Sequence, residues 1–434
     1  VTVPFRTPFF FGWVMVVMGA VIGFSSGPGQ SYVFSVFIDS IIEDTSLTRT
    51  GISTLYAVGT GLSAVMVMVV SRLADRYGVR LTSMGAAFGL GVACLAMSQA
   101  QEAILVFLAF AALRALGQGS MSINGTLLVA QWFVRRRGRA MAMMTLGFPL
   151  SMAILPPLAR FLVDSIGWRE AYAVLGIVVW VLVIPAAFLL IRERPEAVGL
   201  FPDGADAPPA GEAVTPGLGE GGRDRRRVLT SFRFWMIALP LTTPPLVVTA
   251  LVFHQVGILE ERGLSATVAA TIFLPYAATT ASVGIAAGIA VDRFGPKGVF
   301  IGSMVAMVVA MSAALVIDSI PGAMAYGALI GLSSGMSMVV GQTIWAHYYG
   351  RAGLGKVQGS AMMIGVAASA VGPLPLAWLE AQFEGFGPGI VVLMALPVAS
   401  IVGIALARPP NEGPRDSRDD EMSGTTSPPR AVPS

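Results

Sequence analysis

Arg114 is a lone charge within a long apolar tract, residues 103–128, with Gln118 and Asn124 four and ten positions further on, near the same helical face. A guanidinium presents a planar fork of N–H donors that matches a carboxylate. Counting 1.5 Å per residue along the tract puts this one close to the centre of a bilayer. An arginine there costs at least about 3 kcal/mol even on insertion-based scales, so it must face a bundle interior or a hydrated cavity. Of the 28 basic residues it is the one deep in an apolar tract, and no aspartate or glutamate lies deep in any tract to pair with it. Two roles fit, direct ligand of an anionic substrate or a hydrogen-bonding anchor for packing or gating. Gln118 and Asn124 either extend a polar path from it or hydrogen-bond between helices.

Other residues capable of chemistry lie at helix weak points. Ser25 and Gln30 flank Ser26-Gly27-Pro28-Gly29 midway along the first apolar tract, where proline and glycine permit a helix break beside a cavity. Pro240-Leu241-Thr242-Thr243-Pro244-Pro245 repeats the weakness in a later tract, making Thr243 a second candidate on the substrate path. Both weak points are equally explained as bends needed for packing. Tyr276 and Thr280 lie one turn apart. His254 titrates near neutrality in water and is a candidate for proton coupling or gating. Asp75 and Asp292, each followed by an arginine, suit the organisation of loops between helices better than substrate contact.

The elements that position these residues follow from composition. The chain has 434 residues, 55% hydrophobic and 12% charged, about half the charge of a soluble domain. Apolar tracts long enough to cross a bilayer recur, near residues 12–37, 51–71, 81–99, 103–128, 139–163, 170–191, 231–256, 266–290, 298–317, 323–345, 355–379 and 388–408. The first is too long, and followed by too many others, for a cleaved signal. Twelve spans in an all-α integral membrane protein are the expectation. Arginine-rich loops alternate with acidic ones: Arg72, Arg76 and Arg80, then Arg135, Arg136, Arg137 and Arg139, then the arginines around 192–233 fall on one side, against Asp39, Glu43, Asp44, Glu102, Asp164, Glu260 and Glu380 on the other. The positive-inside rule places the arginine side, with both ends of the chain, in the cytoplasm of a cell-membrane protein. The basic runs therefore set topology and are not read as nucleic-acid contacts. One cysteine, Cys94, and two histidines far apart exclude a disulfide framework and give no basis for a metal site or other cofactor.

The chain also repeats itself. Arg72-Leu-Ala-Asp75-Arg76-Tyr-Gly78-Val-Arg80 is echoed by Gly288-Ile-Ala-Val-Asp292-Arg293-Phe-Gly295-Pro-Lys297, and Ala130-Gln-Trp-Phe-Val-Arg135 by Ala346-His-Tyr-Tyr-Gly-Arg351 in nearly the same register. Two pseudo-symmetric six-helix bundles are the implied architecture: residues 1–191, a linker over 192–230, residues 231–408, and a disordered tail over 409–434.

The Asp-Arg-x-Gly elements, Arg114-Ala-Leu-Gly-Gln118-Gly119 and Gly167-Trp168-Arg169 resemble the motifs of the major facilitator superfamily across most of the chain. Phe11-Gly12-Trp13, Trp132-Phe133, Arg136-Arg137-Gly138, Pro156-Pro157 and His254 before Glu261-Arg262-Gly263-Leu264-Ser265 are similar to bacterial members of its monocarboxylate and oxalate transporter group. The resemblance implies alternating-access transport of a small organic anion such as a monocarboxylate. It also implies that Arg114 either binds the anion or bonds to span-one carbonyls. Tyr276 and Thr280 stand where the animal monocarboxylate transporters carry a functional aspartate and arginine, and Met362, Met363 and Gly365 replace the region of the oxalate transporter's lysine. The expected partners are the small molecule, a lipid bilayer and H+ as candidate coupling ion, with a monomer as the functional unit. Efflux of a neutral or amphipathic compound and a transporter-like sensor are the alternatives. No paired deep acids or activated nucleophile point to an enzyme.

Overall fold

Glycine fixes where the long helices reverse. Gly78, Gly167 and Gly295 adopt φ/ψ of 85°/157°, 88°/161° and 75°/159°, a region essentially closed to residues with a side chain. Each joins two long helices with no intervening loop. The first and third of these end the two Asp-Arg-x-Gly elements, so the repeated sequence encodes a repeated backbone turn.

The computed structural model describes residues 9–45, 47–133, 136–205, 231–349 and 354–406, and all regular structure in them is helical. In chain order the helices are α1 (Gly12–Ser25), α2 (Ser31–Phe34), α3 (Ile38–Asp44), α4 (Arg49–Tyr77), α5 (Val79–Ser98), α6 (Ala103–Leu113), α7 (Ser122–Trp132), α8 (Arg137–Thr145), α9 (Gly147–Ile166) and α10 (Trp168–Leu190). They continue with α11 (Phe232–Phe253), α12 (Gln255–Glu261), α13 (Ala266–Thr271), α14 (Phe273–Ala314), α15 (Ile320–Tyr349), α16 (Leu354–Val371), α17 (Pro373–Phe383), α18 (Phe386–Leu393) and α19 (Ala395–Leu406).

Among the described residues ten helices are long and apolar enough to cross a membrane, from Val79–Ser98 to Phe386–Leu406. Their outer faces are apolar: Phe161, Val181 and Ile285 are 65%, 65% and 75% exposed, which suits lipid and not water. The expected spans 12–37 and 51–71 are not among the ten. The first is interrupted by the 3₁₀ turn Gly27–Gly29, which leaves α1 at 14 residues. The second lies inside the 29-residue α4, which is long enough to cross a bilayer but has several side chains outside the described residues.

The break expected at Gly27–Gly29 is present, and the one expected at Pro240–Pro245 is not. α11 runs unbroken from Phe232 to Phe253 through its three prolines. A glycine faces two of those rings: a Cβ at Gly403 would lie 3.2 Å from Pro240 Cγ, and one at Gly365 3.9 Å from Pro245 Cγ. The interruption falls instead at His254 (φ −95°, ψ 12°), before α12. In the register that relates Gly78 to Gly295, His254 corresponds to Phe37, which interrupts the first span at φ −98°, ψ −13°. The same register pairs the helix caps Thr48, whose hydroxyl accepts from Gly51 N at 3.0 Å, and Ser265, which accepts from Val268 N at 3.3 Å.

With α1–α10 called the first set of helices and α11–α19 the second, by chain order alone, residues 192–205 pack onto the first set. Arg192 O accepts from Trp132 Nε1 at 3.0 Å, and Asp203 Oδ1 accepts from Arg136 N at 2.9 Å. The Glu193 carboxylate accepts from Val79 N (2.7 Å) and Arg80 N (3.2 Å), capping the N-terminus of α5. The rest of the expected linker, 206–230, and the expected tail, 409–434, lie outside the described residues.

Candidate functional site

The tract from α6 to α7 is not a uniform α-helix: Arg114–Met121 is wound as a π-helix. Such widened turns concentrate at functional sites. Small residues let its backbone press against two neighbours. A Cβ at Gly117 would lie 2.8 Å from Gly29 Cα and 2.9 Å from Ser26 O, and one at Gly119 2.9 Å from Ser63 O. The break in the first span is thereby brought against the helix that carries Arg114.

Arg114 is 1% exposed. Its Nη1 donates to Gly29 O at 2.8 Å, an oxygen that the helix break leaves free of an intrahelical bond. Its Nε and Nη2 both donate to Thr60 Oγ1, at 3.2 and 3.0 Å, and Nη2 also donates to Tyr56 Oη at 3.1 Å. The Tyr56 ring lies 4.4 Å from the guanidinium carbon, a cation–π contact in a dry setting. Every acceptor is neutral, and no carboxylate among the described residues pairs with the cation. The site thus has its hydrogen bonds largely met while its charge is uncompensated. In the repeat register Arg114 corresponds to Gly331, where the backbone of α14 fills the space: a Cβ at Gly331 would lie 2.5 Å from Tyr276 O. The charge is on one side of the molecule only.

Tyr56 also connects this pocket to the second set of helices. Its ring meets Phe253 of α11 edge-on at 4.7 Å, and Phe253 stacks on Phe34 at 5.7 Å. Tyr32 packs against Phe273 of α14 at 6.3 Å and donates to Ser151 Oγ at 3.0 Å, which in turn donates to Phe24 O at 2.8 Å. Further toward the Arg49 end, Arg49 pairs with Asp39, lies 4.0 Å from Glu380 Oε1 and sits 5.5 Å from the Phe386 ring. Ala250 through Leu259 are buried without interruption there. Aromatic rings and one arginine therefore seal the two sets of helices together at that end.

The remaining candidates divide. Gln30 donates to Ser26 Oγ at 3.1 Å beside the Gly29 carbonyl, and Ser25 is buried with its hydroxyl unpartnered. Gln118 Oε1 is likewise buried without a partner. Ser25 and Gln30 flank the span-one break, and Gln118 lies on the π-helical segment that carries Arg114. Asn124 instead accepts from Thr82 of α5 at 3.3 Å, and Thr243 bonds Ser400 of α19 at 2.7 Å, so both tie helices together within their own set. Tyr276 bonds Ser334 at 3.2 Å, and Thr280 donates to Gly331 O at 3.4 Å besides Tyr276 O at 2.9 Å within its own helix, so both face α15. His254 is buried, with Nε2 3.1 Å from Pro373 O, its ring 5.4 Å from Phe386 and Nδ1 without a partner. It belongs to the sealed end. The side chains of Asp75 and Asp292 lie outside the described residues. The contacts that Tyr56, Thr60 and Tyr32 make here were not legible in the sequence, since hydroxyls and aromatics are common in apolar spans, and neither was the reach of Arg49 to Glu380 and Phe386. The one sequence signal was the i, i+4 spacing of Tyr56 and Thr60.

Outside the spans, Asp44 accepts from Trp168 Nε1 at 2.7 Å and pairs with Arg169. The Trp168 hydrogen bond, and next the Arg169 guanidinium, hold its carboxyl below the ordinary value.

Comparisons with known proteins bear on the family and the fold. A family model described as Major Facilitator Superfamily matches residues 19–256 and 247–431. The riboflavin transporter RibJ of Trypanosoma brucei brucei is 28% identical over 193 residues, 43% of this chain and 34% of that protein. Human monocarboxylate transporter 6 is 29% identical over 163 residues, 36% of this chain and 31% of that protein. The matched stretch spans about a third of each curated relative. Crystal structures of a bacterial homolog of the human lysosomal transporter Spinster, inward-facing and either unoccupied or occupied, superpose with TM-scores of 0.75 and 0.70 at 16% and 15% identity. They cover 93% and 90% of this chain and 98% and 96% of those chains. The fold is shared with them.

Proposed function

The chain belongs to the major facilitator superfamily, and from that premise we propose that it carries a small organic anion, such as a monocarboxylate, across the cell membrane by alternating access. One observation carries the anion reading: the Arg114 charge is buried at the span-one break with neutral acceptors only. An uncompensated guanidinium in a low-dielectric site attracts a carboxylate and repels cations. Gln118, Gln30 and Ser25 are the neighbouring groups proposed to complete the site, with Tyr32 and Tyr56 linking it to the seal. The relative named a monocarboxylate transporter supports this substrate class.

The architecture proposed is twelve spans in two six-helix halves, 1–191 and 231–408. The matching turns at Gly78 and Gly295, caps at Thr48 and Ser265, and breaks at Phe37 and His254 support it. The arginine distribution supports cytoplasmic chain ends, which would put the Arg49 seal on the outer side. H+ is the coupling ion proposed and a monomer the functional unit.

A second reading, movement of a neutral or amphipathic molecule, is favoured by the fact that protein oxygens already take the Arg114 Nε and Nη2 donors and one from Nη1. Purified protein in liposomes, offered labelled lactate, pyruvate, acetate and oxalate under imposed pH and sodium gradients, tests the proposal. Saturable movement of at least one monocarboxylate is expected. No anion flux under any gradient, together with movement of a neutral compound, would reject it, and binding without flux would indicate a sensor.

A further inference from the structure

Two arginine side chains, Arg80 and Arg192, bond to backbone oxygens at the end of α10, near Gly78, and neither forms an ion pair among the described residues. Arg80, in the first turn of α5, donates from Nη2 to Phe188 O at 2.5 Å and lies 4.8 Å from the Phe188 ring. Arg192, just beyond α10, donates from Nη1 to its neighbour's carbonyl, Ile191 O, while its Nε is buried with no partner. Partial burial, and next the Arg80 charge, hold the Arg192 guanidinium below its ordinary value. The Glu193 carboxylate takes its hydrogen bonds from Val79 N and Arg80 N, so neither guanidinium is bonded to it. Among the described residues neither arginine has a carboxylate within ion-pair distance.

Two neighbouring guanidinium groups with N–H donors to spare and no bonded carboxylate can share one anion. The surroundings identify that anion. Phe188, Leu189 and Leu81 are 57%, 58% and 58% exposed, at the ends of helices long and apolar enough to cross a membrane. A belt of exposed apolar side chains ending at two guanidinium groups matches an acyl chain ending at a phosphate. We infer that Arg80 and Arg192 form a binding site for the phosphate headgroup of an anionic phospholipid, with its acyl chains lying along Phe188 and Leu81. The inference is independent of what the protein transports. The lipid would staple α5 to the end of α10 and so stiffen the turn at Gly78.

Native mass spectrometry of the full chain in detergent, titrated separately with dioleoyl phosphatidylglycerol, dioleoyl phosphatidylcholine and inorganic phosphate, tests it. Phosphatidylglycerol should bind more tightly than phosphatidylcholine, and millimolar phosphate should not displace it. Arg192→Gln should weaken phosphatidylglycerol binding about fivefold, from roughly 1 kcal/mol per basic residue at a membrane surface, with phosphatidylcholine unaffected. The Arg192 side chain bonds only to its own neighbour, and its bond to Trp132 is through the backbone oxygen, so this variant keeps the fold where Arg80→Gln removes a tie to α10. Arg194→Gln, an exposed arginine two positions on, should change nothing. Equal affinity for the two lipids, an unchanged Arg192→Gln, equal weakening by Arg194→Gln, or displacement by free phosphate would each overturn the assignment.

Discussion

Replacing Arg49 by glutamine should loosen the sealed end by a calculable amount. Arg49 reaches across the seal through two contacts, Glu380 at 4.0 Å and the Phe386 ring at 5.5 Å, while its pairing with Asp39 stays within its own set of helices. The Arg49 and Glu380 side chains are 22% and 26% exposed, so their long ion pair contributes about 0.5 kcal/mol after screening. A partly shielded cation–π contact adds roughly 0.5 kcal/mol. The sum, about 1 kcal/mol, shifts the closed-to-open ratio at that end about fivefold. Spin labels at Glu43 and Gln382, both exposed and on opposite sides of the seal, in a background where the buried Cys94 is replaced by alanine, report that ratio as a double electron–electron resonance distance distribution. Arg49→Gln should move population to longer distances, Glu380→Gln should do so by less, and Arg49→Lys should fall between Arg49→Gln and the parent. An unchanged distribution in Arg49→Gln would show that the aromatic contacts alone hold the seal and would refute this reasoning.

Gly117→Ala should destabilise the protein by about 2 kcal/mol, read as a lower thermal midpoint, because its Cβ would meet Gly29 Cα and Ser26 O, backbone atoms that cannot swing aside. Gly78→Ala should lower the midpoint more than Gly295→Ala. Both incur left-handed strain of roughly 1–3 kcal/mol, but only at Gly78 would the Cβ also strike Glu193 Oε1, at 2.3 Å, since nothing lies within 4 Å at Gly295. Asp44 is held below the ordinary carboxylate value in the folded protein, so its contribution is present above about pH 4 and is lost as pH falls through its lowered folded value. Trp168 fluorescence should report that titration, and Asp44→Asn should abolish it. With Asp44 44% exposed, its effect on stability is small.

Much of the fold was legible because its determinants are local. Apolar length gave the helices, and Asp-Arg-x-Gly gave the turns at Gly78 and Gly295, since only glycine takes that backbone. Gly27-Pro28-Gly29 gave the first-span break. Pro240, Pro244 and Pro245 misled, because the glycines that face Pro240 and Pro245, Gly403 and Gly365, are more than a hundred residues away in sequence. Arg114 was legible as a deep charge. Its partners Tyr56 and Thr60 were not, since choosing among the many hydroxyls of twelve apolar tracts requires knowing which helix faces which. The π-helical winding at Arg114–Met121 depends likewise on the close approach of Gly29 and Ser63.

The claim that the Arg114 charge selects the cargo is tested most directly by pairing a carboxylate with its neutral isostere. Liposomes holding the parent chain or Arg114→Gln, each checked for intact folding, are offered labelled lactate and labelled lactamide. The parent should carry lactate faster than lactamide, and Arg114→Gln should lose lactate flux by roughly tenfold or more, the worth of a charged hydrogen bond, with lactamide flux little changed. Lactamide carried as fast as lactate by the parent, or an equal loss of both in Arg114→Gln, would contradict the account and leave Arg114 as a structural anchor between Gly29, Tyr56 and Thr60.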